Sequence, residues 1–199
     1  MFTALVDANV WYSKLLRDAL LELGLKHFFQ PRWSQNILDE TQGALERRLP
    51  GYGLSFRRQA EYMNLAFPEA MVRDFEHLEA GLQKVHENDK HVLAAALGCK
   101  AGALVTFNLK DFPENLFEVH GVQLVHPDDF LLDQVDLNPQ IALLALAKQL
   151  ADYRRPHIGA LELSIKLKGL RCPRFAEFVA EHSDQIDFHV TSLHVNPSQ

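Results

Sequence analysis

The sequence predicts an α/β fold: a parallel sheet flanked by helices, followed by a C-terminal all-helical extension. Three observations carry this reading. Short apolar or β-branched runs alternate with segments of helical period through the first two thirds of the chain, the pattern of a parallel sheet covered on both faces. Polar and acidic residues stand directly after two of those runs, at Asp7 and at 106–113. From about Phe130 only helical patterns continue, so residues 1–130 are read as one domain and 131–199 as its extension.

The elements follow in order. FTALV (2–6) reads as a strand that stops at Asp7, and a helix follows from about Trp11 to Leu23, closed by Gly24. HFFQP (27–31) reads as a second strand, and Ser34 is a good N-cap for a helix running to about Arg48. Pro50, Gly51 and Gly53 break the chain. Residues 54–66 and 69–84 read as helical, with a short strand near Met71 and Val72 as the alternative. An Ala-rich helix at 88–98 precedes two buried strands, ALVT (103–106) and VQLV (122–125). In the extension, helices are expected at roughly 138–154, 158–168 and 173–182, separated by Pro156 and by Gly169 to Pro173.

With 199 residues, 47% hydrophobic and 23% charged, the chain suits a compact domain with an appendage. Its net charge of −6 does not advertise a nucleic-acid binder. The charge is uneven, however. Residues 148–174 carry seven Lys or Arg against two acids, so a local basic patch from Lys148, Arg154, Arg155, Lys166, Lys168, Arg171 and Arg174 is a candidate RNA contact. Cys99 and Cys172 stand far apart without metal-ligand spacing, which argues against a disulfide framework or a zinc site and for a reducing, cytoplasmic compartment. No stretch approaches the length of a membrane span, and no signal-peptide pattern opens the sequence.

Four acidic elements converge on one edge of the expected sheet. Ligands of open parallel sheets bind beyond the C-terminal strand ends, where Asp7 stands, although an Asp there also serves as a helix cap. In the helix 34–48 the apolar face centres between Ile37, Thr41, Ala44 and Leu45; Glu40 falls on its rim and Asp39 nearly opposite. Asp89 lies in the first turn of its helix in line with Val92, Leu93 and Ala96, facing the core, where a mere complement to the helix dipole would be better placed outward. TFNLKDFP (106–113) delivers Thr106, Asn108 and Asp111 to the same edge, with a capped turn as its bland alternative. Crowded carboxylates repel, and such a group is stable when it shares a cation. All-oxygen ligands select a hard ion, Mg²⁺ or Mn²⁺, and the chemistry that follows is phosphodiester hydrolysis.

LVDANV (5–10), WSQNILDE (33–40) and especially NDKHVLAAALGCKAGALVTFNLKDFP (88–113) resemble the PIN-domain ribonucleases, in particular the bacterial VapC-type toxins. The resemblance spans roughly residues 2–130. It implies a PIN-like sheet with Asp7, Glu40 and Asp89 as the first three catalytic and metal-binding acids, Asn9 as a polar residue lining the site and Thr106 as the hydroxyl after the later strand. One position departs from the pattern: the residue two after that threonine is often Asp and is Asn108 here, so Asp111 is expected to complete the metal site. The resemblance further implies an RNA substrate and an antitoxin partner. The extension is read as covering the domain, pairing with a second copy or binding that partner.

Other signals are set aside. The ten histidines show no i, i+4 pair of a helical metal site and are assigned to surface or core. GYGLSF (51–56) lacks the third glycine and preceding strand of a nucleotide loop, and GxSxG is absent. Trp11, Tyr12, Phe28 and Phe29 are assigned mainly to core or partner contacts, with base stacking by one of them as the lesser alternative. Two further readings compete with the toxin: a PIN nuclease of RNA processing, separated by whether a small antitoxin gene lies adjacent, and a binding module without catalysis, against which the four retained acids speak.

Overall fold

The computed structural model describes residues 1–83, 85–113, 119–153 and 156–195. The chain divides into two compact units, one of Met1–Ser13 and Phe29–His126 and the other of Lys14–Phe28 and Pro127–Gln199.

The first unit is a five-stranded sheet. Its strands are β1 (Thr3–Val6), β2 (Gln30–Ser34), β3 (Met71–Val72), β4 (Ala103–Val105) and β5 (Gln123–Val125), in the order β3-β2-β1-β4-β5. Every neighbouring pair is parallel. β4 is apolar and buried throughout, and β1 is so from Ala4 to Val6, as both-faces-covered strands must be. The helices of this unit are α1 (Ala8–Trp11), α3 (Gln35–Arg48), α4 (Tyr52–Ala66) and α5 (Glu87–Gly98). Trp11 and Trp33 meet edge to face at 5.5 Å in the core, and Trp33 donates its indole N–H to Asn64 at 2.9 Å. The chain passes from β1 out to β3 on one side and returns to β4 on the other. The strand order therefore reverses between β1 and β4, where a crevice opens beyond the strand ends.

Several expected boundaries shift. The second strand lies at Gln30–Ser34 rather than 27–31, and Ser34, its last residue, also caps α3 by accepting from the Ile37 amide at 3.2 Å. Residues 69–84 are not one helix. Met71 and Val72 pair with Trp33 and Ser34, Asp74 adopts φ 59°, and a 3₁₀ turn covers Glu76–Gly81. Burial of Ala70, Val72 and Phe75 along an extended segment beside β2 outweighs the modest helix propensity of this stretch.

The second unit is helical: α2 (Lys14–Leu25), α6 (Pro127–Leu137), α7 (Pro139–Ala151), α8 (Ala160–Gly169), α9 (Pro173–Glu181) and α10 (Ser183–Val195). The helix expected from Trp11 to Leu23 is thus two elements, and Gly24 lies inside α2 rather than closing it. Sequence reading passed over α6 and α10. α6 opens with Pro127 at its first position and two acids in its first turn, while α10 is rich in β-branched and aromatic residues and is fixed by burying Ile186 and Val190. α7 ends at Ala151, short of the expected 154; residues 154 and 155 lie outside the described residues. Among the described residues no helix is long and apolar enough to cross a membrane.

Candidate active site

The site begins at the switch between β1 and β4. The register that pairs Val6 with Val105 brings the next residues, Asp7 and Thr106, side by side, although 99 positions separate them in sequence. Asp7 is 7% exposed, and both its carboxylate oxygens are engaged. Oδ1 accepts from the Ala8 amide at 2.6 Å, so Asp7 does cap the short α1; Oδ2 accepts from the Thr106 hydroxyl at 2.7 Å and from Asn9 Nδ2 at 2.5 Å. Asn9 Oδ1 accepts from the Phe107 amide at 3.1 Å, and Thr106 Oγ1 accepts from the Asn108 amide at 3.0 Å. These bonds fix the carboxylate from two backbone segments, 7–9 and 106–108.

The electrostatics set this aspartate apart from a simple cap. Burial pushes its carboxyl above the ordinary carboxylate range; the Thr106 hydroxyl and the Ala8 amide oppose that, and the charges of Glu40 and Asp89 add to it. Asp89, in the first turn of α5 and about a quarter exposed, is raised in the same direction by burial and by Asp111, with His86 and His91 opposing and Glu40 adding. Asp7, Glu40 and Asp89 therefore stand within electrostatic range of one another, and Asp111 within range of Asp89. Asn108 and Asp111 are exposed, Asp111 closing a 3₁₀ turn at Leu109–Asp111.

Every donor in this group is an oxygen, which fits a hard divalent cation. Burial raises both Asp7 and Asp89 most, and the like charges that add to it, Glu40 and Asp89 at Asp7 and Asp111 and Glu40 at Asp89, are what such a cation would offset. Among the described residues no three His, Cys, Asp or Glu side chains are gathered closely enough to hold an ion as they stand.

Comparison with known proteins adds a family to this geometry. Residues 3–110, which include Asp7, Glu40, Asp89 and Thr106, match the family model described as the PIN domain. The chain belongs to the PIN-domain family. Asp111 lies one residue past the matched range. Residues 127–181 match a second model, the VapC50 C-terminal domain. A curated protein of Mycobacterium tuberculosis named "Putative ribonuclease VapC50" is 38% identical over 91 residues, which cover 46% of this chain and 53% of that protein. The chain thus spans about half the length of the curated relative it matches. No solved structure gives a significant match.

Sequence reasoning left aside one residue that the PIN domain places in this cluster. His91 Nε2 stands 2.9 Å from Glu40 Oε1, so α5 supplies a partner that holds the half-exposed glutamate over the strand ends. Burial works to lower the imidazole's pKa, but the Glu40 hydrogen bond and the charges of Glu40, Asp7 and Glu79 raise it overall. The only signal in sequence was its place two residues after Asp89. Asp39, expected on the opposite side of α3, instead lines the rim of the same groove as Glu40 and accepts from Gln35 Nε2 at 2.8 Å. It sits on a ridge, because it lines a second groove with Gln35, Gln42 and Arg57 as well.

The expected basic patch is less open than its charge count suggests. Lys148 pairs with Asp152 at 2.7 Å, Lys166 with Glu162 at 3.3 Å and Arg174 with Asp129 at 2.5 Å. Lys168 and Arg171 are exposed, while Arg154 and Arg155 lie outside the described residues.

Proposed function

We propose that this PIN protein is a metal-dependent endoribonuclease that hydrolyses RNA phosphodiester bonds, the toxin of a type II toxin–antitoxin pair that acts in the cytoplasm. The observation that carries the reading is Asp7: a buried carboxylate, fixed by Ala8, Asn9 and Thr106, with the like charges of Glu40 and Asp89 raising its proton affinity. A purely structural cap gains nothing from those neighbours. The relative's name supports the RNA substrate, and its VapC designation, with the second family match, supports the toxin role and a cognate antitoxin.

Asp7, Asp89, Asp111 and Glu40 would hold Mg²⁺ or Mn²⁺, with the Asn108 carbonyl as a neutral donor beside them. When bound, the ion supplies an activated water and charge compensation at the phosphate. The chain's own residues supply position. Asn9 and Thr106 keep Asp7 from rotating, and His91 keeps Glu40 turned toward the strand ends. We assign the nuclease to residues 1–130 and an appended partner- or RNA-binding role to residues 131–199, in keeping with family matches at 3–110 and 127–181.

Purified protein incubated with total RNA, with and without Mn²⁺, followed by mapping of the new ends, tests the proposal. Discrete ends that require the ion and vanish in Asp7→Asn are expected. Ion-independent cleavage, or none by folded protein, would overturn it.

A further inference from the structure

Beside the acidic cluster, α1 and α3 border an open groove of about 530 Å³ whose lining includes Asn9, Tyr12, Glu40, Gly43, Ala44 and Arg47. Its near end is therefore shared with the candidate active site. Its far end is cationic. Arg47 follows Glu40 by seven residues, two helical turns or about 10 Å along the same face of α3. The guanidinium folds back over the helix: Arg47 Nη1 lies 3.4 Å from where a Cβ on Gly43 would stand, so the bare glycine gives it a bed. Arg47 makes no side-chain hydrogen bond or ion pair with another described residue, although two carboxylates line the same groove.

Tyr12, just past the end of α1, lines the same groove. Of the aromatics that cluster near the N-terminus, Trp11 and Phe29 are fully buried, whereas Tyr12 is half-buried and lines the groove. Among the described residues its ring stacks on no other ring and its hydroxyl has no partner. An uncommitted aromatic face, the small residues Gly43 and Ala44 and an uncommitted guanidinium thus line one groove with Glu40 of the carboxylate cluster. A planar, uncharged base followed by a phosphate satisfies all three, since bases stack on aromatic side chains and arginine binds phosphate in a fork. The volume suits a ligand of nucleotide size.

We propose that this groove is the subsite for the nucleotide next to the scissile phosphate of single-stranded RNA, with Tyr12 stacking on its base and Arg47 holding the phosphate beyond. The placement of the scissile phosphate rests on the nuclease reading above; the stacking and the phosphate contact do not.

The test is fluorescence anisotropy of a labelled single-stranded RNA hexanucleotide, in EDTA and in Ca²⁺, so that cleavage is not needed for the readout. Tyr12→Ala should weaken binding at least about fivefold, and Tyr12→Phe, which keeps the ring, should restore it. Arg47→Gln should lower the salt dependence of log affinity by about 0.7, one phosphate on a single strand. Circular dichroism of each variant controls for folding. Equal affinities for wild type and Tyr12→Ala, an unchanged salt slope in Arg47→Gln, or no RNA binding by folded wild type in either medium would overturn the proposal, the last leaving the groove to a protein partner. Asp7→Asn separates the two readings. If the acidic cluster binds no metal, Ca²⁺ and Asp7→Asn leave affinity unchanged while the Tyr12 and Arg47 effects persist.

Discussion

Asp7 and Asp128 are both buried aspartates at the start of a helix, one in each unit, at 7% and 5% exposure. Both accept from backbone N–H groups, but their further neighbours differ. Asp128 reaches the beginning of α9, where Oδ1 accepts from the Phe175 amide at 2.8 Å and Oδ2 from the Arg174 amide at 3.1 Å, so two otherwise unpaired N–H groups at the positive end of a helix satisfy its charge. Asp7 also caps a helix, but its further neighbours are Glu40 and Asp89. Burial alone does not distinguish a working carboxylate from a clasp. What sets Asp7 apart is the pair of like charges near it, Glu40 and Asp89, which the proposed cation would offset.

Substitution should separate the two sharply. Asp7→Asn is expected to reduce ion-dependent RNA cleavage by at least ~10²-fold, roughly 2.7 kcal/mol of transition-state stabilisation, while folding stability without divalent ions changes by no more than about 1 kcal/mol. If denaturant melts show Asp7→Asn to be mainly unfolded, Asp7 is a clasp after all. Asp128→Ala should do the reverse. It strands two backbone donors and should cost about 2–4 kcal/mol in a urea melt, with cleavage per folded molecule unchanged.

Within α3 the same contrast operates between adjacent residues. Glu40→Gln weakens the His91 hydrogen bond and removes a charge from the cluster, so cleavage should fall by ~10²-fold. Asp39→Asn alters the surface bond from Gln35 and one charge on the rim of the groove, outside the carboxylate cluster, and activity within a few fold of wild type with a stability change of at most ~0.5 kcal/mol is expected. An inactive Asp39→Asn beside an active Glu40→Gln would reverse the assignment.

The smallest effect is a thiol near Asp128. Burial, and then the Asp128 carboxylate, push Cys172 from 9.0 up to about 12, while Cys99 is raised mainly by its own partial burial. A folded-state value above the unfolded one means that the thiol's contribution to stability is complete below pH 9 and is lost as pH rises toward about 12. At pH 8, Ellman's reagent should therefore modify Cys99 before Cys172 in native protein, and both at one rate in guanidinium. Prior modification of Cys172 would show that the clasp region opens.

The parallel sheet was legible because apolar strands followed by polar residues are dictated by local composition, and Asp7 and Thr106 stand at the ends of such runs. Asp89 was legible through helical phase. The contact between Glu40 and His91 was not, since it joins residues 51 positions apart on different helices. β3 was obscured for a related reason. A two-residue strand exists only because Trp33 and Ser34 offer it an edge, which no window of sequence around Met71 records. Arg47 was accessible to the phase argument used for Glu40, two turns before it, but its isolation from the nearby acids was not.

The bond between Thr106 and Asp7 spans 99 residues, and β4 must dock on β1 before it can form. At a translation rate of about 5–20 residues per second, Asp7 leaves the ribosome some 5–20 seconds before its partner does. Local helices such as α3 and α4 can form in that interval, but non-local parallel pairing comes last. A nascent or truncated chain ending before Thr106 therefore carries Asp7, Glu40 and Asp89 without the strand that aligns Asp7 with Thr106, and it is expected to lack the ion-dependent cleavage proposed for the full chain.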